Sequence, residues 1–194
     1  MISSLKRSGA LVIPALFACL AISGCASQPK IFSNSDTSID FAQYKTYSFF
    51  SELSTDKPGY ESLESTFLKV AVAQEMDKRG FTYASDADLL LNFYINTEEK
   101  IRSRSVPTSG GYYGYRDPFY DPWGGYGGYE TRIDQYTEGT LNIDAVDAGT
   151  KKLVWEGSIV GKITEKTIQN LEAVIDTAVA EVFTGFPVQP PATQ

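Results

Sequence analysis

Residues 139–161, GTLNIDAVDAGTKKLVWEGSIVG, decide the architecture. From Gly139 to Asp147 the side chains alternate, with Leu141, Ile143 and Ala145 on one side and Asn142 and Asp144 on the other, the period of a strand with one buried face. Asp147-Ala148-Gly149-Thr150 supplies turn chemistry. Lys151 to Gly161 then returns as the antiparallel partner, with Leu153 and Trp155 expected to share a face. Such a hairpin is marginal alone and needs an apolar layer against its inner side.

The flanking segments supply that layer. Downstream, Glu165 to Thr184 reads as a helix with Ile168, Leu171, Ile175, Val179 and Val182 in one stripe, ending at Gly185 ahead of Pro187. Upstream, Asp88 to Ile95 (DLLLNFYI) is a near-continuous apolar run suited to a central strand, and Tyr44 to Phe50 (YKTYSFF) is an aromatic, Thr-containing first strand. Between them Ser62 to Arg79 reads as a helix capped by Ser62, with Glu64 in its first turn and Gly80 as its stop. Leu63, Phe67, Val70 and Ala71 form its expected inner face, and Leu68, Val72 and Met76 widen the apolar surface. The order strand, helix, strand, strand, strand, helix predicts an α+β fold, a two-layer sandwich with two helices on one face of a four-stranded sheet. One domain over residues 41–187 is expected, followed by a disordered tail over 188–194.

The N-terminus carries an address. Lys6 and Arg7 precede a mostly apolar stretch from Gly9 to Ile22, the order of a secretory signal peptide over residues 1–24. It closes on Ile22-Ser23-Gly24-Cys25, which resembles the bacterial lipobox; that resemblance implies cleavage before Cys25 and acylation of its sulfur and new amino terminus. Ala26 follows the cysteine where Asp is absent, which in proteins of this type implies the outer membrane of a Gram-negative envelope. One acyl chain holds a protein marginally, whereas two or three hold it stably. Residues 25–40 then read as the lipidated cysteine and a flexible, Ser- and Asp-rich tether. With Cys19 lost in the signal and Cys25 acylated, no thiol remains for a disulfide.

Residues 107–129, PTSGGYYGYRDPFYDPWGGYGGY, fit neither helix nor strand and form an insertion between two strands. Tyr and Trp offer rigid contact area with a polar edge, and Gly lets the backbone adapt. Tyr112, Tyr113, Tyr115, Phe119, Tyr120, Trp123, Tyr126 and Tyr129 are therefore the candidate residues for gripping an envelope protein or stacking on glycan rings. Arg102, Arg104, Arg116 and Arg132 flank or enter the segment.

Composition narrows the chemistry. The 194 residues contain no His, which removes imidazole catalysis and His-containing metal sites. Asp86/Asp88, Glu98/Glu99 and Asp144/Asp147 are the visible acid clusters, each better explained by strand ends and turns than by the facing pair a glycoside hydrolase needs. Asp144 to Gly149 lacks the ligand ladder of a calcium loop, and Gly110-Gly111 and Gly124-Gly125 lack the setting of a phosphate loop. No metal, cofactor or nucleotide site is indicated. Removal of Lys6 and Arg7 leaves 15 basic against 24 acidic residues, a net charge of −9, which disfavours nucleic acid and anionic lipid surfaces as partners.

Several segments together resemble one bacterial lipoprotein family, the domain of unknown function 4136. The match runs through Phe41, Tyr44-Lys45-Thr46-Tyr47, Arg79-Gly80-Phe81, Ala87-Asp88-Leu89 and Gly139-Thr140-Leu141, and closes with Asp147, Thr150 to Gly157 and Phe186-Pro187. The hairpin with its Trp-x-Gly signature is its most specific part. Phe49 stands where the family pattern expects Trp, and Glu156 where a basic residue is common. The resemblance implies an exported lipoprotein with this element order and no transferable catalytic residue. The expectation is a non-enzymatic lipoprotein, anchored by lipid at Cys25 to the outer membrane and facing the periplasm. It would act as an adaptor or envelope-maintenance module through the aromatic loop. The rivals are an accessory subunit of an outer-membrane assembly and a carboxylate-dependent glycan hydrolase.

Overall fold

A computed structural model of the chain describes residues 28–107 and 129–191. Strands are β1 (Lys30–Ser35), β2 (Thr46–Phe49), β3 (Thr82–Tyr83), β4 (Leu89–Pro107), β5 (Tyr129–Asp147) and β6 (Leu153–Ile163); helices are α1 (Leu63–Lys78), α2 (Glu165–Gln169) and α3 (Leu171–Phe183). The fold is α+β, as expected, but the sheet has six strands rather than four, in the order β1-β6-β5-β4-β2-β3. β2 lies parallel to β3 and β4 across the α1 connection, and the remaining pairs are antiparallel.

Alternation sorts the sheet into two faces. Leu89, Leu91 and Phe93 of β4, Leu141, Ile143 and Ala145 of β5, and Trp155 and Ile159 of β6 point inward and form one core with Leu68, Val72 and Met76 of α1 and Ile175, Val179 and Val182 of α3. Gly157 lies in that inner row. A Cβ there would stand 2.5 Å from Val182 and 2.6 Å from Trp155, so the close seat of α3 on β6 requires glycine.

The Ser62 cap and the Gly80 stop occur as expected: the Ser62 hydroxyl accepts from the Ser65 N–H, and Gly80 takes the left-handed φ of +83°. The inner face of α1 is rotated, however. Leu63 and Val70 are exposed, and Leu68, Val72 and Met76 are buried. The helix is apolar on more than one side, so periodicity alone offers two stripes, and packing against α3 and the sheet selects one.

Four further expectations are corrected. Lys30–Ser35, read as tether, is an edge strand whose six residues all pair with β6 between Val160 and Trp155. Its side chains are exposed, so the unsatisfied edge of β6 recruits it through backbone hydrogen bonds that hydrophobic patterning does not reveal. The single C-terminal helix is broken at Asn170, whose side-chain amide donates to the Lys166 carbonyl in competition with the backbone; Ile168 stays exposed. Leu153 and Trp155 do not share a face, because a bulge opposite Ala145/Val146 leaves Val154 extra; Val154 and Trp155 are buried and Leu153 is half exposed. Of the tail expected to be disordered, Val188 packs on the core and the Gln189 amide donates to the Phe186 carbonyl at 2.6 Å.

Candidate functional site

Of the eight aromatic residues proposed to bind a partner, Tyr112, Tyr113, Tyr115, Phe119, Tyr120, Trp123 and Tyr126 lie outside the described residues, as do Cys25 and the preceding residues read as a signal peptide. Tyr129 is described: it opens β5, is well exposed and pairs with Pro107. The two ends of the Gly/Tyr-rich segment are thus held side by side at the end of a ladder.

That ladder is longer than the sequence suggested, since β4 and β5 each run for 19 residues. β6 follows β5 only as far as the Thr137–Ile163 pair. From Lys100/Tyr136 to Pro107/Tyr129 the two strands continue as a ribbon, about 25 Å long, that no third strand joins among the described residues. Register places Ile101, Ile133 and Tyr129 on one face and Arg102, Arg104 and Arg132 on the other. All six are exposed. Over the ribbon Lys100 and the three arginines stand against Glu130 and Asp134, whereas the other described residues carry ten cationic against twenty acidic side chains. A net charge averaged over the chain conceals this separation, which leaves the ribbon locally basic on an otherwise acidic body.

Direction matters as much as composition. β1 begins at Lys30, which is level with Val160, Thr140 and Asn96 across the sheet. The ribbon continues from Asn96 away from the body, so chain entry and ribbon lie at the same end.

The acid clusters are distributed rather than convergent. Asp88 Oδ2 accepts from the Lys45 and Thr46 N–H groups at 2.8 and 2.9 Å and from the Thr46 hydroxyl at 3.0 Å, which joins the starts of β2 and β4 and holds its carboxyl below the usual range. Asp147 Oδ1 accepts from Thr150 N–H at 2.6 Å and its Oδ2 from the Tyr44 hydroxyl at 2.8 Å, lowering its pKa. Burial, and then the hydrogen bond to Asp147, pushes the Tyr44 hydroxyl up to about 12. Glu98 pairs with Lys100, and Glu99 accepts from Thr137 at 2.8 Å.

Asp144 and Asp147, read as one cluster, point to opposite faces, as residues three apart on a strand must. Asp144 instead sits on the open face of the sheet in a cross-strand row Asn92–Asp144–Glu156–Asn34, where the Asn34 amide donates to Glu156 at 2.9 Å. Sequence reading missed this row because its members come from four separate strands. Burial raises the Asp144 carboxyl above its ordinary range, and the Glu156 charge adds to it. The Asn92 side-chain oxygen beside it is buried and without a hydrogen-bond partner. A group whose folded pKa is raised contributes stability below its unfolded pKa that is lost as pH rises through the folded value. Asp144→Asn should therefore raise the melting temperature at pH 7 by about 1–3 °C, with the gain disappearing near pH 3.5. Thermal melts at the two pH values check this, and an unchanged or lower value at pH 7 contradicts it.

Two open clefts stand out among the described residues. One of about 560 Å³ is lined by residues including Phe41, Tyr44, Arg79, Phe81 and Gln189, and one of about 420 Å³ by Tyr44, Asp86, Asp88 and Asp147. The Asp144 row lies in neither. Among the described residues no group of three or more His, Cys, Asp or Glu side chains is placed to hold a metal ion. Among them, too, no helix is long and apolar enough to cross a membrane.

The family model described as Domain of unknown function (DUF4136) matches residues 31–188. No curated protein matches the chain. Among solved structures, a PDZ domain protein from Parabacteroides distasonis ATCC 8503 is 12% identical with a TM-score of 0.52, a likeness of fold over 84% of this chain and 37% of that one. The PelC dodecamer from Paraburkholderia phytofirmans is 11% identical with a TM-score of 0.46, covering 84% of this chain and 100% of that one. Several residues on which the resemblance was read form joints of the fold: Tyr44 on Asp147, Thr46 on Asp88, and Trp155 beside Gly157 under α3.

Proposed function

The chain belongs to the DUF4136 family, and from that premise we propose that it is a lipoprotein anchored through Cys25 to the outer membrane and facing the periplasm. It acts there without catalysis, as an adaptor or envelope-maintenance module that binds protein or glycan through the Gly/Tyr-rich loop. The observation that carries the reading is Ile22-Ser23-Gly24-Cys25 placed behind a charged and then apolar segment, five residues ahead of the first strand. Support for the loop comes from Pro107 and Tyr129 on either side of it, which pair at the far end of the β4–β5 ladder. Support for a non-enzymatic role comes from Asp88 and Asp147, whose oxygens are engaged in hydrogen bonds that join strands and close a turn.

The alternative, an accessory subunit of an outer-membrane assembly, draws on the open face of the sheet. There Phe32 and Tyr94 stand exposed at the two ends of one cross-strand row, where a partner could cover them.

Photo-crosslinking in cells from Tyr113 and Trp123, followed by mass spectrometry, tests the loop. Adducts to an envelope protein or glycan are expected, and deleting residues 108–128 should abolish them while leaving the melting temperature within about 2 °C. Adducts that persist after the deletion remove the loop from the reading. The mass of the N-terminal peptide reports Cys25 separately, as acylated or free.

A further inference from the structure

We infer that the β4–β5 ribbon docks on an anionic lipid surface, with Ile101, Ile133 and Tyr129 entering the headgroup boundary and Arg102, Arg104 and Arg132 reaching phosphate groups. The inference rests on the Cys25 anchor proposed above and adds a second membrane contact to it.

Chain geometry carries the first step. Four residues, Ala26 to Pro29, lie between Cys25 and Lys30, so an anchored cysteine is five Cα steps, at most about 17 Å, from the start of β1. From the level of Lys30, β4 runs on for eleven residues to Pro107, roughly 35 Å, and its last eight, Lys100 to Pro107, belong to the ribbon. A membrane within reach of Cys25 therefore meets the ribbon along its length. The opposite posture would place the body, about 24 Å from Asn96 back to Leu89, between Lys30 and the membrane, which is more than the linker spans.

Chemistry carries the second. A two-stranded ribbon is marginal in water by itself, and among the described residues neither edge of this one is paired, so it gains from a surface to lie on. Arg104 and Arg132 stand directly opposite one another, a like-charge pair that costs stability until an anion sits between them. The ribbon is only two strands wide, so arginines on its outer face can pass its edges to reach headgroups while the apolar face sinks in. The acidic body is held off the same surface by its own charge.

The test uses the full chain purified from membranes and reconstituted into vesicles of phosphatidylethanolamine and phosphatidylglycerol, or of phosphatidylcholine alone. An environment-sensitive fluorophore is placed at Ile133→Cys, with Thr177→Cys on the exposed side of α3 as control. The expected result is a blue-shifted, brighter signal at position 133 in the anionic vesicles and none at 177. Replacing Arg102, Arg104 and Arg132 together by Gln should lower the docked-to-free ratio on the order of a hundredfold. A silent probe at 133 on a chain whose Cys25 is acylated overturns the ribbon inference and leaves the anchor standing. A responding probe on a chain with a free Cys25 thiol supports the ribbon contact and removes the anchor. A response that appears in detergent without vesicles and grows with protein concentration points to a second copy of the chain, and overturns the inference as well.

Discussion

Trp155→Ala is expected to lower the stability of the domain by about 3–5 kcal/mol, which for a domain of this size is a fall in melting temperature of roughly 6–20 °C. The indole is 1% exposed, with its ring centroid 5.4 Å from that of Phe183 and 4.9 Å from that of Phe186. Alanine would leave a cavity among rings already fixed on Phe41 and Phe81 through Phe186, so little collapse can fill it. The indole N–H also donates to the Ser33 hydroxyl at 2.9 Å and to the Gly185 carbonyl at 3.3 Å, which ties β1 and the turn after α3 to the sheet. Trp155→Phe separates the two roles. The Ser33 hydroxyl itself donates to Gly185 at 2.9 Å, so the carbonyl stays satisfied and the loss should be nearer 1 kcal/mol. Chemical denaturation of both variants checks the difference, and equal losses would mean that the hydrogen bonds outweigh the packing.

Arg79→Ala is expected to cost about 3 kcal/mol, roughly 6–12 °C in melting temperature. The guanidinium is 3% exposed, donates to Glu75 Oε2 at 2.5 Å and to the Glu75 carbonyl at 2.9 Å, and donates to the Phe183 carbonyl at 2.8 Å. It thereby neutralises a carboxylate on α1 and satisfies a carbonyl at the end of α3, while its carbon lies 5.2 Å from the Phe183 ring centroid. Lys78 remains on Glu75 at 2.6 Å, which keeps the loss at the lower end for a broken buried pair. Arg79→Lys should not restore the protein, since an ammonium cannot serve both acceptors from one position.

The pH dependence of Arg79→Ala has a defined sign. Burial opposes ionisation of Glu75, but the hydrogen bonds from Lys78 and Arg79 outweigh it and leave the carboxyl below its ordinary value. That contribution is present above the unfolded pKa of about 4.3 and is lost as pH falls through the folded one, so the gap between wild type and variant should narrow toward pH 3. A gap that stays constant with pH would place the loss in packing alone.

The legible parts of the chain were those governed by short-range chemistry. The hairpin turn at Asp147 to Lys152, the Ser62 cap, the Gly80 stop and the alternation of Leu141, Ile143 and Ala145 depend on neighbours within a few residues, and each stands where the pattern predicted it. The inner face of α1 was not legible, because its sequence supplies two apolar stripes of similar strength. Nor was the bulge at Val154, which moves Leu153 outward against a correct strand assignment. Of the proposed site, the lipobox-like residues ending at Cys25 and the aromatic segment were proposed from residues alone. The Asp144 row and the ribbon could not be, since strand register decides which distant residues become neighbours.

By itself the sequence determined the α+β class and the order of the main strands and helices, which follow from local periodicity, capping and composition. Tertiary structure alone decided that Lys30–Ser35 would be a strand, because the free edge of β6 supplies the hydrogen bonds that its own polar residues cannot replace by burial. It also decided that Arg102, Arg104 and Arg132 would gather on one face of a projecting ribbon at the end where the chain enters, because charge becomes a surface property only once pairing has fixed which residues stand side by side.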